Sequence, residues 1–359
     1  METSVVESGR ESGIQVAQRA FSRGNRFSFA ARLKALKAVL LYKMTGKRIP
    51  LSVTFLTTHH CNFDCQACDL RALTGNDIPQ ERFERLIDDV AAAGAIRVSF
   101  TGGGEPLIRS DIGTLIHRAK ERGLIVSLVT NGYLIDRRLA DIKELDLLLV
   151  SYDSTKRLKN DEQSPLEKVL ANAVLAQQHG IPVCLQPLLT KDTCQNIEKF
   201  FALSRRHGFV LSLQPLENWY QGTVPPEIIP SHQEMAEAID KIVAEKKRHN
   251  NILNSLRYFK ILKKQWPKPA GKGKCFAGVY YASVSADGFL YACNPVIKRD
   301  PEISVLNRSF KQAYTELKPP ACGGCLWNCH HELNSIFAMD FATIWNLLKF
   351  SKNRLVYRR

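Results

Sequence analysis

Between Leu51 and Pro215, six short runs of β-branched and aliphatic residues alternate with amphipathic segments. This alternation constrains the fold more than any other feature. The runs are Leu51–Leu56, Ile96–Phe100, Ile125–Thr130, Asp146–Ser151, Val183–Leu188 and Val210–Pro215. Helical patterns lie between them at Glu81–Ala93, Asp111–Arg122, Leu166–His179 and Glu198–His207. Each stops at a glycine (Gly94, Gly123, Gly180 or Gly208), the residue that most easily adopts the left-handed turn ending a helix. Strands alternating with helices imply right-handed crossovers and a parallel sheet covered on both faces, an α/β class. Periodicity alone leaves an open doubly wound sheet and a partial barrel as equal solutions.

After Gln221 the pattern breaks. Pro225-Pro226 leads into helical patterns over Gln233–Arg248 and Leu253–Gln265, followed by a Lys/Pro/Gly linker from Pro267 to Lys274. Beyond it, Tyr280–Ser285 and Phe289–Cys293 flank Asp287-Gly288, a strong hairpin signal. The expected domains are a basic extension (1–48), the barrel or sheet (49–220), a helical connector (221–270), a small cysteine-rich domain (271–335) and a basic tail (336–359). No apolar run approaches the roughly 18 residues of a membrane span. Met1–Gly13 is polar and acidic without a secretory core, so a cytoplasmic chain is expected. In that compartment the 10 cysteines point to metal rather than disulfides.

The loop leaving the first strand reads Thr57-Thr58-His59-His60-Cys61-Asn62-Phe63-Asp64-Cys65-Gln66-Ala67-Cys68. The spacing C-x3-C-x2-C sits at a strand's carboxyl end, where α/β folds place their chemistry. Three thiolates can hold three irons of a cubane and leave the fourth open. Zinc is the competing metal and would need His59 or His60 as a fourth ligand. The next strand ends carry Thr101-Gly102-Gly103-Gly104-Glu105-Pro106, then Thr130-Asn131-Gly132, then Ser151-Tyr152-Asp153-Ser154. Alone, a triple-glycine turn is usually only a turn, and Ser151 or Asp153 a helix cap. In this order they describe one continuous site.

These residues resemble the radical S-adenosylmethionine (SAM) enzymes over roughly Leu51 to Glu217. The resemblance implies a partial (β/α)6 TIM-like barrel and a 4Fe-4S cluster held by Cys61, Cys65 and Cys68, with SAM chelating the open iron. Gly103, Gly104 and Glu105 match the family's turn for the methionine amino group. Ser151 and Asp153 match positions near the ribose, with Asn131 nearby. The residue before the third cysteine is aromatic in many relatives but is Ala67 here, which shifts adenine packing to Phe63 or another side chain. Reductive cleavage of SAM to a 5′-deoxyadenosyl radical and hydrogen abstraction from an organic substrate follow from the resemblance. So does a low-potential electron donor of ferredoxin or flavodoxin type.

Cys275, Cys293, Cys322, Cys325 and Cys329 form a second group, with Gly288 five residues before Cys293. They resemble the SPASM/Twitch extension of radical SAM enzymes, which implies one auxiliary 4Fe-4S cluster on Cys275, Cys293, Cys322 and Cys325, with Cys329 able to replace either of the last two. A zinc ribbon is the alternative. Cys184 reads as a buried small hydrophobe, and Cys194 as a helix-start thiol whose pKa the dipole lowers. His330 and His331 read as surface or capping residues.

The formal net charge of +15 is concentrated at the ends. Ser12–Pro50 holds nine Lys/Arg and no acid, and five more follow Asp340. Phe29, Leu33, Leu36 and Leu40 recur at helical spacing beside Arg32, Lys34, Lys37 and Lys43. Trp345 and Phe350 lie beside Lys349, Lys352 and Arg354. Both stretches suit peripheral contact with the anionic inner face of a membrane, against a rival in which the helices pack on the barrel. Substrates within reach of this reading are peptides, small-molecule or cofactor precursors and lipid-linked molecules; nucleic acid is not expected. A non-catalytic iron–sulfur carrier or RNA-binding protein is the opposing class, and an open iron has no use in a carrier.

Overall fold

The computed structural model describes residues 29–68, 70, 74–159, 164–216, 224–269, 275–297, 303–320, 322, 324–340 and 345. The strands are β1 (Ser52–Leu56), β2 (Arg97–Thr101), β3 (Ile125–Thr130), β4 (Leu147–Ser151), β5 (Val183–Gln186), β6 (Leu188–Leu189), β7 (Val210–Leu211), β8 (Gln214–Pro215), β9 (Tyr281–Val284), β10 (Phe289–Tyr291) and β11 (Ile303–Ser304). The helices up to the sixth barrel strand are α1 (Phe29–Thr45), α2 (Gln80–Ala92), α3 (Ile112–Glu121), α4 (Ile135–Arg138), α5 (Leu166–Gln178), α6 (Lys191–Gln195) and α7 (Ile197–His207). The remainder are α8 (His232–His249), α9 (Leu256–Gln265), α10 (Phe310–Glu316) and α11 (Asn328–Phe337).

Neighbouring strands β1, β2, β3, β4, β5 and β7 pair in parallel and in sequence order, which makes the α/β partial (β/α)6 barrel. Their helix-facing residues, such as Val53, Phe55, Val98, Phe100, Val126 and Leu128, are wholly buried because helices cover the sheet. Phe55, Phe83 and Phe100 pack ring to ring between β1, α2 and β2. Gly208 ends α7 with φ 74°, as the sequence pattern requires.

Two expected strands are interrupted. Pro187 has no N–H to give the ladder and separates β5 from β6. The sixth strand splits into β7 and β8 where Asn254 binds both polar groups of Leu213: Leu213 N–H donates to Asn254 Oδ1 at 2.7 Å, and Asn254 Nδ2 donates to Leu213 O at 3.1 Å. For the same reason the helix expected from Leu253 begins only at Leu256. Leu253 N–H is bonded to Leu211 O at 2.8 Å, and Ser255 caps α9 by accepting from Tyr258 N–H.

The cysteine-rich segment joins the barrel sheet. β9 runs parallel to β1, with Ser52 opposite Tyr281 and Phe55 opposite Val284, and β10 and β11 follow antiparallel. Ile78 N–H donates to Ala286 O at 2.8 Å, so the Asp287-Gly288 tip sits against the loop that follows β1. Helix α11 spans the boundary expected at 335. Residues 1–28 and the tail's Lys349, Phe350, Lys352 and Arg354 lie outside the described residues.

Candidate active site at the carboxyl ends of the strands

The loop carrying the first three cysteines is fixed at both edges. Arg109 is buried, donating to Thr57 O and Ile78 O at 3.0 Å each and to Asp111. Asp77 accepts from Thr58 Oγ1 at 2.6 Å and from His59 N–H at 3.1 Å. On the far side, Asp64 N–H donates to Arg157 O at 2.9 Å and Gln66 N–H to Thr155 O at 3.3 Å.

The triple-glycine turn lies backbone to backbone on this loop. Gly104 N–H donates to Thr58 O at 2.8 Å and Glu105 N–H to His60 O at 2.7 Å. A Cβ on Gly104 would stand 1.9 Å from His60 O, so only glycine permits this approach. Glu105 is 1% exposed and accepts from Leu107 N–H, Thr130 Oγ1 and Asn131 N–H. It ties the end of β2 to the end of β3, and burial raises its pKa despite those donors. Asn131 in turn donates from Nδ2 to Asn62 Oδ1 at 2.8 Å, within the cysteine loop.

A cavity of about 300 Å³ opens where these elements meet. Cys61, Cys65 and Cys68 line it together with Gly103, Gly104 and Glu105. Asn131, Ser151 and Asp153 complete the lining expected from sequence. Phe63 and Ala67 also face it, and Phe63 is held edge-on by Tyr133 at 5.8 Å. Burial pushes the Cys61 thiol up to about 11, opposed by the Phe63 N–H that donates to its sulfur at 3.4 Å. Burial raises the Cys65 thiol too.

Sequence reasoning missed Lys156. It lines the cavity, its Nζ lies 3.7 Å from Asp153 Oδ2, and its burial would lower its pKa. Asp153 and the three cysteines outweigh that and raise it, so a cation faces the thiol cluster. The signal available was its position just past the Ser151-x-Asp153 strand end. Also missed were Gln186, Gln214, Asn294 and Trp327, which reach the same cavity from β5, β8 and the C-terminal segment.

In the second group, Cys293 is 6% exposed, and after burial its pKa is raised by Cys325, Cys275 and Cys322 in that order. Three other thiols thus act on Cys293, whereas the charge that acts on Cys329 is the Arg97 guanidinium. Tyr281 OH lies 3.5 Å from Cys275 Sγ, and His331 Nε2 2.7 Å from Cys325 O. His330 is not a surface residue: it is 7% exposed and stacks on Tyr281 at 5.2 Å. Cys184 is fully buried as expected, but Cys194 departs from the expected low pKa. Burial drives it up to about 12 and overrides the effect of a five-residue helix.

Both groups fit iron–sulfur clusters on their donor chemistry. Among the described residues no three Cys, His, Asp or Glu side chains converge on a single ion. A cubane asks instead for one thiolate per iron, spread around its corners.

Residues 55–203 match the model of the radical SAM superfamily. A PqqA peptide cyclase from Granulibacter bethesdensis is 26% identical over 171 residues, covering 44% of this chain and 45% of the relative. An Fe-coproporphyrin III synthase from Methanosarcina barkeri is 32% identical over 161 residues, covering 42% and 40%. The chain thus spans under half the length of these curated relatives. Among solved structures, Streptococcus suis SuiB bound to precursor peptide SuiA aligns with a TM-score of 0.62 at 13% identity, covering 77% of this chain and 67% of SuiB. Native anSMEcpe with bound AdoMet and the Cp18Cys peptide gives 0.59 at 19%, covering 74% and 80%. At such identities these two likenesses concern the fold. The similarity to the radical SAM superfamily thus lies in residues 55–203, which hold the cysteine loop, the triple-glycine turn and the ends of β3 and β4.

Proposed function

We propose that this chain is a radical SAM enzyme in which Cys61, Cys65 and Cys68 hold a SAM-binding 4Fe-4S cluster. We further assign one auxiliary 4Fe-4S cluster to Cys275, Cys293, Cys322 and Cys325. The observation that carries the first assignment is the single cavity shared by the three cysteines, the Gly103–Glu105 turn and the ends of β3 and β4. When bound, the first cluster supplies the electron that splits SAM into methionine and a 5′-deoxyadenosyl radical. Lys156 balances thiolate charge at one wall. Gly103 and Gly104 leave backbone room for the methionine end of SAM, and Ser151 and Asp153 stand at the ribose side. Phe63, Leu188, Leu216 and Trp327 keep water from the reacting centre.

The substrate we infer is peptide-like. Gln214 lines the cavity, and both polar atoms of its side chain are buried with no hydrogen-bond partner among the described residues; Asn294 Oδ1 is in the same state. A carboxamide offers a donor beside an acceptor, the pattern a backbone amide complements. The relatives named for a peptide and the structures holding one support the same choice.

The test is 5′-deoxyadenosine formation by anaerobically reconstituted, reduced protein. The wild type should form it, and the Cys61→Ala/Cys65→Ala/Cys68→Ala variant should not. Unchanged formation in that variant would refute the assignment.

A further inference from the structure

Helix α1 has two apolar faces. On the inner one, Ala31, Ala38 and Val39 are buried, Ala35 packs against the core, and the Tyr42 ring meets Tyr280 edge-on at 5.5 Å. On the outer one, Leu33 is 56% exposed, Leu36 47%, Leu40 48% and Met44 81%. At the helical advance of about 100° per residue, spacings of three, four and four place these four on one stripe, diametrically opposite the packed face. The packing expected of this helix is thus met on one side, while its leucines face outward on the other.

The exposed cations border the stripe. Arg32 and Lys43 fall on one shoulder and Lys34 and Lys37 on the other, and the helix contains no acid. Of the eight large apolar side chains that are exposed among the described residues, four lie on α1 and a fifth, Met339, lies beside its C-terminal end. Lys43 Nζ is 3.7 Å from Met339 Sδ, which brings that segment to the end of the helix. Isolated exposed leucines need no explanation, but a continuous row of them between two rows of cations does.

We propose that α1 docks this chain on the surface of an anionic lipid bilayer. The stripe runs about 17 Å along a convex helix, with basic side chains on both flanks whose stems can lie along the hydrocarbon while their heads reach phosphate. A second copy is a poor occupant, because a two-fold contact through this face would set its cations against themselves. An anionic surface complements both features at once.

Full-length protein sedimented with phosphatidylcholine vesicles, with or without phosphatidylserine, tests this. Binding should require phosphatidylserine at low salt and weaken as salt rises, by about five-fold for each cation that is screened. Leu36→Ser/Leu40→Ser and Lys34→Glu/Lys37→Glu should each reduce partitioning by at least about ten-fold. 5′-Deoxyadenosine formation in solution should be unchanged, which shows that the variants are folded. Equal binding to both vesicle types, or none to either, would overturn the proposal. So would self-association that these variants abolish without vesicle binding.

Discussion

The two cysteine groups solve one chemical problem with opposite architectures. Cys61, Cys65 and Cys68 come from a single eight-residue loop, braced by Asp77, Arg109 and the glycine turn, and a cation, Lys156, faces them. Cys275, Cys293, Cys322 and Cys325 come from separated segments tied together by β9, β10 and the approach to α11. Burial and the other thiols push Cys293 toward its neutral form, with the Val296 N–H opposing. On the proposed assignment, a short loop with three thiols would leave room for an outside ligand, whereas four thiols from separated segments would close the coordination. Asn294 and Trp327, adjacent to the second group in sequence, line the cavity of the first. On the proposed assignment the C-terminal centre would border the first, where it would take an electron from, or position, the molecule activated there.

The largest break in this comparison is Gly104→Ala. Its Cβ would collide with His60 O, displacing the turn from the loop. SAM cleavage should fall by at least about a hundred-fold while the C-terminal irons remain, as iron content and 5′-deoxyadenosine assays would show. Cys293→Ser/Cys325→Ser should do the reverse, removing about four of about eight irons and leaving SAM cleavage within about ten-fold of wild type. Cys329→Ser should leave the iron count unchanged, since Arg97 rather than the other thiols is the charge that acts on Cys329. Lys156→Met should make the first cluster harder to reduce and slow SAM cleavage about ten-fold, read by redox titration.

The smallest effect concerns the metal-free chain. Burial holds Cys61 near 11 against an ordinary thiol value of 9.0, and Cys293 shifts the same way. Raised thiol values mean stability is intact below pH 9 and is lost as pH climbs toward about 11, because the unfolded chain ionises first. Melting temperature measured against pH in chelated protein should decline across that window. The loaded protein, whose thiolates are already bound, should decline less.

The first site was largely legible in sequence because its pieces are local. Each strand end announces itself, and the cysteines, the glycines and the Ser151-x-Asp153 pair fall on consecutive ones. The barrel strands were legible for the same reason, except where Pro187 and Asn254 break them through a missing donor and a competing side chain. What stayed hidden converges from distant segments. Gln214 and Trp327 meet only because the C-terminal segment folds back over the barrel mouth. His330 was misjudged because its partner, Tyr281, is nearly fifty residues away in sequence. Cys194 was misjudged because periodicity reveals a helix start but not how deeply it is buried. The sequence of helix α1 poses packing and exposure as alternatives, a choice a helix with alanine on one side and leucine on the other does not have to make.

The central claim is that one cluster has an open iron and the other does not. Electron paramagnetic resonance of the reduced, reconstituted chain, recorded with and without SAM, tests it most directly. Two cluster signals should appear, and SAM should shift only the one that Cys61→Ala/Cys65→Ala/Cys68→Ala eliminates. A SAM-induced shift of the signal that survives in that variant, or no shift of either, would contradict the account.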